Sequence, residues 1–135
     1  MSRSISLSSV EKAIEAGKAK AAELGIAFTI SVLDDGARLV ALSRMDGAAL
    51  ASVESSQAKA RTSVYFATPT RELAAAVQPG APMFGIDSAF VDPVAFVGGA
   101  VPVTDADGRV IGAVGAGGGS PGQDHEVAEA AKAAL

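Results

Sequence analysis

His125 is the one histidine among the 135 residues of this chain, and histidine is the side chain that ordinarily titrates near neutral pH. We predict that it lies in the first turns of the last helix, where the partial positive charge of the helix end lowers the pKa of an imidazole. The neutral imidazole favoured there is the form that binds a metal such as iron. A histidine that simply faces solvent beside Asp124 and Glu126 is the alternative interpretation.

The two acidic neighbours of this histidine also allow two interpretations. Asp124 and Glu126 either complement the positive end of the helix dipole or, if one of them turns into a pocket, take part in proton transfer. We therefore name His125 and Asp124 as the candidate catalytic residues. His125 is also the candidate iron ligand, should a haem bind.

Two further groups of polar residues lie earlier in the chain. Arg44 and Asp46 flank Met45 after a predicted strand, and the segment ends at Gly47. The guanidinium fork of Arg44 could bind a carboxylate or a propionate, or it could pair with Asp46 and fix the turn.

A predicted helix carries Lys59, Arg61 and Thr62, and charged side chains on a helix usually form a solvated face. The hydroxyls of that helix hint that one face meets a polar cavity or a partner subunit.

A glycine-rich loop, Gly117-Gly118-Gly119-Ser120, precedes the last helix. Free N–H groups and the helix dipole at such a place could hold an anion, although no Gly-Lys-Ser or Gly-Lys-Thr follows. We predict one pocket beside His125, bounded by this loop, the 44–47 turn and the 59–62 helix face. A neighbouring subunit could complete the pocket. The predicted ligand contacts are Arg44, Asp46, Gly47, Lys59, Arg61, Thr62, Gly117, Gly118 and Gln123.

The elements that must position these residues follow from periodicity and turn chemistry. The order is one helix, two strands, two helices, two or three strands and a last helix, with tight turns that make the strand pairs antiparallel. This is an α+β fold with a single antiparallel sheet in one domain, 1–135. The predicted helices are one capped by Ser8 and Glu11, one over 49–66, a short one from Thr68-Pro69 to Val77, and one opened by Ser120-Pro121. The predicted strands are 28–33, 39–42, 96–97, 100–104 and 109–116.

Composition narrows the function classes. The chain carries a formal charge of −4 and no block of basic residues, which argues against nucleic acid and anionic membranes as partners. It has no cysteine, so disulfides, thiolate zinc sites and cysteine nucleophiles are excluded. No signal peptide or membrane span is visible at the N-terminus, so a soluble cytoplasmic protein is the expectation. The high hydrophobic content of 49% and the alanine-rich last helix predict a homo-oligomer.

Several motifs, in order along the chain, resemble the GlcG/HbpS family, also called the haem-degrading or DUF336 family, which includes the C-terminal domain of the PduO type. The resemblance spans about Ser9 to Leu135. It rests on residues 32–41, 44–48, 59–62 with Phe66, 98–103, 108–118 and Gln123-Asp124. It implies a profilin-like α/β/α arrangement around a five-stranded antiparallel sheet, oligomers, and for some members association with haem or the corrinoid pathway. Haem-binding relatives use an axial histidine or another polar ligand, and this chain offers His125.

The resemblance and the residues together leave different classes of function open. The first is a haem- or tetrapyrrole-binding protein that senses, stores or degrades haem. The second is an enzyme that acts on a carboxylated metabolite, with Arg44 for binding and His125 or Asp124 for proton transfer. The third is an oligomeric accessory protein without catalysis.

Overall fold

Two β-hairpins build one antiparallel sheet in the computed structural model, which describes residues 5–135. The first hairpin is β1 (Thr29–Asp34) with β2 (Leu39–Arg44), and the second is β3 (Ala100–Thr104) with β4 (Val110–Gly117). Their order is β2-β1-β4-β3, with β1 and β4 pairing antiparallel at the centre. Each turn is closed by an aspartate: Asp34 accepts N–H bonds from Gly36 and Arg38, and Asp105 from Asp107 and Arg109. Both predicted hairpins are confirmed.

Three α-helices cover the two faces of this sheet. Helices α1 (Leu7–Leu24) and α3 (Pro121–Lys132) pack against each other on one face, and α2 (Ala51–Phe66) packs against β1 and β4 on the other. Ser120 and Gln123 form the predicted capping box of α3. The cap of α1 is Ser6 rather than Ser8, because the helix begins two residues earlier and the Ser6 hydroxyl accepts the N–H of Ser9. Within residues 5–135, none of the helices combines the length and apolar character needed to cross a membrane.

The two faces of the sheet differ in chemistry because side chains alternate along a strand. Ile30, Val32 and Val114 face α1 and α3 and form an aliphatic core with Val101 and Val127. The residues that face α2 instead are small or polar: Thr29, Ser31, Gly115 and Gly117. The larger of the two cores therefore lies on the α1 and α3 side.

Helix α2 approaches the sheet closely because small and hydroxyl-bearing residues line the contact. The Thr29 hydroxyl lies 2.7 Å from that of Ser52, and the Ser31 hydroxyl lies 2.8 Å from that of Ser56. A Cβ at Gly115 would overlap the carbonyl oxygen of Ser56. The Ser52 and Ser56 hydroxyls of α2 thus face the sheet rather than a polar cavity. Gly115 and Gly117 of β4 leave the room that lets the α2 backbone approach.

Two predicted elements are wrong. Residues 96–97 form no strand, so the sheet of the described chain has four strands and not the five that the family resemblance implied. The N–H of Ala95 is bonded to the Thr62 hydroxyl instead of a neighbouring strand. The short helix predicted after Thr68-Pro69 is replaced by two 3₁₀ turns, Thr70–Glu72 and Ala74–Val77. The Thr68 hydroxyl does not cap a helix, because it donates back to the carbonyl of Phe66.

We predict that Gly115→Ala destabilises the protein by about 1–3 kcal/mol, because the added methyl group forces α2 away from β4. Gly122→Ala is the matched control: it lies in the first turn of α3 with nothing within 4 Å of an added Cβ. Since alanine favours a helix more than glycine, this control is expected to be neutral or more stable than the wild type. Urea unfolding of the three proteins checks this, and equal stability of Gly115→Ala and the wild type would contradict it.

Candidate functional site

Lys59 and Asp124, both predicted site residues, are bound to each other. The Lys59 ammonium on α2 lies 2.8 Å from a carboxylate oxygen of Asp124 in the first turn of α3, and the side chains are 4% and 6% exposed. The other oxygen of Asp124 accepts the N–H of Gly119 at 2.8 Å. Because this carboxylate is already paired and hydrogen-bonded, the geometry gives it a structural role rather than a free catalytic oxygen.

Glycine at position 99 makes the ion pair possible. A Cβ there would lie 2.6 Å from the Lys59 nitrogen and 2.9 Å from the Asp124 Cβ, and the φ of +140° is one that glycine adopts readily. The neighbouring Gly98 has a similar role, since a Cβ would lie 3.0 Å from the carbonyl oxygen of Pro121. The segment before β3 therefore passes tightly between α2 and the start of α3.

The glycine loop does not offer the free N–H groups that were predicted. The N–H of Gly119 is taken by Asp124, and that of Ser120 by the Gln123 side chain at 2.9 Å. Gln123 is thus part of a helix cap. Gly117 and Gly118 pack tightly, against α2 and against the backbone of Ala27 and Phe28 respectively. The protein's own side chains satisfy the start of this helix, so an anion cradle at Gly119 and Ser120 is contradicted.

Arg61 and Thr62 hold the segment that precedes β3. Arg61 donates to the carbonyl oxygen of Pro93 at 2.6 Å, and the Thr62 hydroxyl accepts the N–H of Ala95 at 2.9 Å. Aromatic contacts reinforce these bonds: Phe66 meets Phe96 edge to face with ring centres 5.4 Å apart. Tyr65 stacks on Phe90, also at 5.4 Å. The C-terminal half of α2 is therefore the support on which this segment rests.

Arg44, Asp46 and Gly47 lie at the end of an edge strand. Thr29 of β1 pairs with Arg44 on one side and with Gly117 on the other, so the predicted turn and the glycine loop share one end of the sheet. Arg44 and Asp46 are exposed, and no ion pair joins them in the described part of the chain. The structural pair proposed for this turn is therefore absent among these residues.

His125 is buried, so the interpretation of a solvent-facing histidine is wrong. The residue is 6% exposed, and its Nε2 lies 3.5 Å from a carboxylate oxygen of Glu129, one turn further along α3. Its Nδ1 is buried and has no hydrogen-bond partner among residues 5–135. Burial, followed by the positive charge of Arg71, lowers the pKa of His125, against the opposing effect of nearby glutamates. The imidazole is therefore neutral at pH 7.

His125 lines a cavity of about 280 Å³, and Val97 lines both this cavity and a second one of about 460 Å³. We call the two together the Val97 cleft. The smaller cavity has Arg71 and His125 as its charged or titratable side chains. The larger is mainly apolar, with Phe84 and Phe96 in its lining and Asp87 at its wall. Neither cavity is lined by Arg44 or Lys59. Of the residues predicted to form one pocket, only His125 lines the cleft.

Sequence reasoning missed the other residues of the Val97 cleft. Arg71 follows Thr68-Pro69, and its turn is anchored to β3 because the Thr70 hydroxyl accepts the N–H of Ala100 at 3.1 Å. Phe84 lies in a stretch rich in proline and glycine and is 63% exposed. An aromatic residue in such a turn-rich segment is a pattern that could have indicated a binding surface.

The comparisons with known proteins agree with one another. Residues 5–133 match the family model described as haem degrading protein HbpS-like. A 15.0 kDa protein encoded between dhaT and dhaS in Citrobacter freundii is 38% identical over 127 residues, which cover 94% of this chain and 89% of the relative. Klebsiella pneumoniae ORFY, of the DUF336 family, has a similar crystal structure with a TM-score of 0.92 at 32% identity, covering 99% of this chain and 95% of that one. The crystal structure of a PduOC–haem complex is similar with a TM-score of 0.90 at 33% identity, covering 98% and 95%.

We predict that Lys59→Met costs about 3–5 kcal/mol of unfolding free energy, because it leaves the Asp124 carboxylate buried without its partner. The double variant Lys59→Met/Asp124→Asn removes both charges and keeps an oxygen for the N–H of Gly119, so it is expected to be more stable than the single variant. Urea unfolding measures all three proteins. A double variant less stable than Lys59→Met would contradict the prediction.

Proposed function

The chain belongs to the HbpS-like family of haem-degrading proteins, and on that premise we propose that it binds haem or a related tetrapyrrole in the Val97 cleft. One observation carries the proposal. A neutral histidine lines a largely apolar cleft, and its buried Nδ1 has no hydrogen-bond partner among residues 5–135. A neutral imidazole is the side chain that most often ligates haem iron.

The residues of the cleft fit the chemistry of a tetrapyrrole. Phe84, Phe96 and Val97 provide apolar surface for a flat macrocycle, and His125 provides the one imidazole of the chain. Arg61 and Thr62 orient this wall by holding Pro93 and Ala95, so two of the predicted ligand contacts act through the segment they support. When bound, haem supplies an iron that can change oxidation state or bind oxygen. The similarity of the chain to PduOC, whose structure is a haem complex, supports this choice of ligand.

An enzyme that acts on a carboxylated metabolite is a second candidate, and one observation favours it. Arg71 and a neutral His125 line the same small cavity. A guanidinium can bind the carboxylate of a substrate while a neutral imidazole accepts a proton from it. This candidate needs no haem, so a haem titration separates it from the first.

We also propose that the protein works as a homo-oligomer in the cytoplasm. Phe84 and Val91 are exposed apolar side chains of the same segment, and Leu50 is exposed at the start of α2. Apolar side chains left uncovered on one chain are commonly buried between subunits. The prediction is a mass in light scattering of at least twice the 13.3 kDa of one chain at micromolar concentration. A mass of one chain would refute it.

The predicted result of a haem titration is a shifted Soret band with the spectrum of an imidazole-ligated iron. His125→Ala is expected to lose that spectrum, because the chain has no other histidine. Free imidazole added to the variant should restore it, which shows that the loss is of the ligand and not of the fold. A wild type whose haem absorbance equals that of free haem would reject the proposal. An unchanged spectrum in His125→Ala would remove the histidine from the site.

A further inference from the structure

Arg71 is a cation of the Val97 cleft that has no side-chain partner within residues 5–135. Arg71 makes no side-chain hydrogen bond or ion pair with any residue in the described ranges, and its side chain lines the small cavity beside His125. Other cationic side chains near this region are engaged: Lys59 by Asp124, and Arg61 by the carbonyl of Pro93. Glu72, Glu126 and Glu129 lie near enough to His125 to raise its pKa, but none of them forms an ion pair with Arg71 within residues 5–135. The Arg71 guanidinium is therefore available to bind an anionic group.

The backbone that carries Arg71 is fixed, although its side chain is free. The Thr70 hydroxyl binds the N–H of Ala100, and the turn is closed by the bond from the N–H of Leu73 to the carbonyl of Thr70 at 3.1 Å. Gly98 brings the next segment close, since a Cβ there would lie 3.3 Å from the Arg71 Cβ. The guanidinium therefore projects from an anchored turn, which lowers the entropy cost of binding a group with it.

The chemistry of the rest of the cleft limits what this cation can bind. The larger cavity is lined mainly by apolar side chains, so the body of the ligand is apolar. The planar fork of a guanidinium binds a carboxylate through two parallel hydrogen bonds. We propose that Arg71 is the carboxylate-binding residue of the Val97 cleft and selects ligands that have an apolar body and a carboxylate arm. The identification of that arm as a propionate of haem rests on the proposed function.

This inference moves the carboxylate partner from Arg44, which the sequence favoured, to Arg71. The two arginines make a matched pair for a test. Both are exposed, and neither is engaged with a side chain in the part of the chain that the structure describes. They differ in place, because Arg71 lines the cavity with His125 and Arg44 ends the edge strand β2.

The experiment measures the affinities of the wild type, Arg71→Ala and Arg44→Ala for haem and for haem dimethyl ester, in which both carboxylates are blocked. Loss of a charged hydrogen bond is expected to weaken haem binding by Arg71→Ala about 10- to 100-fold. The ester should bind the wild type and Arg71→Ala equally, and Arg44→Ala should bind haem as the wild type does. Thermal melts of the ligand-free variants show that each is folded.

Other outcomes separate this inference from the proposed function. If haem fails to bind but 4-phenylbutyrate, which has an apolar ring and one carboxylate, raises the melting temperature of the wild type and not that of Arg71→Ala, the carboxylate site stands and the haem proposal falls. Haem affinity that is unchanged in Arg71→Ala overturns the inference and leaves haem binding intact. A loss of haem affinity in Arg44→Ala alone also overturns the inference, as does a wild type that binds neither haem nor 4-phenylbutyrate.

Discussion

The buried ion pair between Lys59 and Asp124 is the contact on which the arrangement of the site depends. It joins α2 to α3 across the end of the sheet, and through the second oxygen of Asp124 it also fixes the loop at Gly119. The free energy needed to remove two charges from water offsets most of the attraction between them. Such a pair therefore adds little net stability compared with an apolar contact. The pair instead fixes the positions of α2 and α3 relative to each other, because neither helix can shift along its axis without leaving a charge buried and unpaired. His125 is the next residue after Asp124, so its place in the cleft follows from the same constraint.

The unequal faces of the sheet explain why that pair can form. Aliphatic side chains hold α1 and α3 on one side, while α2 lies on serine, threonine and glycine on the other. Because so little side-chain bulk separates α2 from β4, the Lys59 side chain can pass Gly99 and reach the opposite layer. A larger residue at position 99 would block this path, and a larger one at position 115 would lift the helix away from it.

Local features of the fold could be predicted from the sequence, and features that depend on distant residues could not. The hairpin turns at Asp34 and Asp105 and the cap at Ser120 are set by side chains within four residues of the groups that they bind. The pairing of Lys59 with Asp124 joins residues 65 apart, and no local pattern encodes it. The supposed strand at Phe96 failed for a similar reason, since the partner of Ala95 is a threonine side chain on α2. In the candidate site, His125 could be found because it is unique in the chain. Arg71 could not, because only the folded turn shows that it shares a cavity with the histidine.

The aromatic contacts of α2 make the protein its own optical probe. The chain has no tryptophan and a single tyrosine, so Tyr65 is the source of its ultraviolet emission. That ring stacks on Phe90, in the segment whose later residues Phe96 and Val97 form the wall of the cleft. A change in how this segment rests on α2 alters the surroundings of the one fluorophore. In the ligand-free protein, tyrosine emission therefore follows the position of the cleft wall without any label.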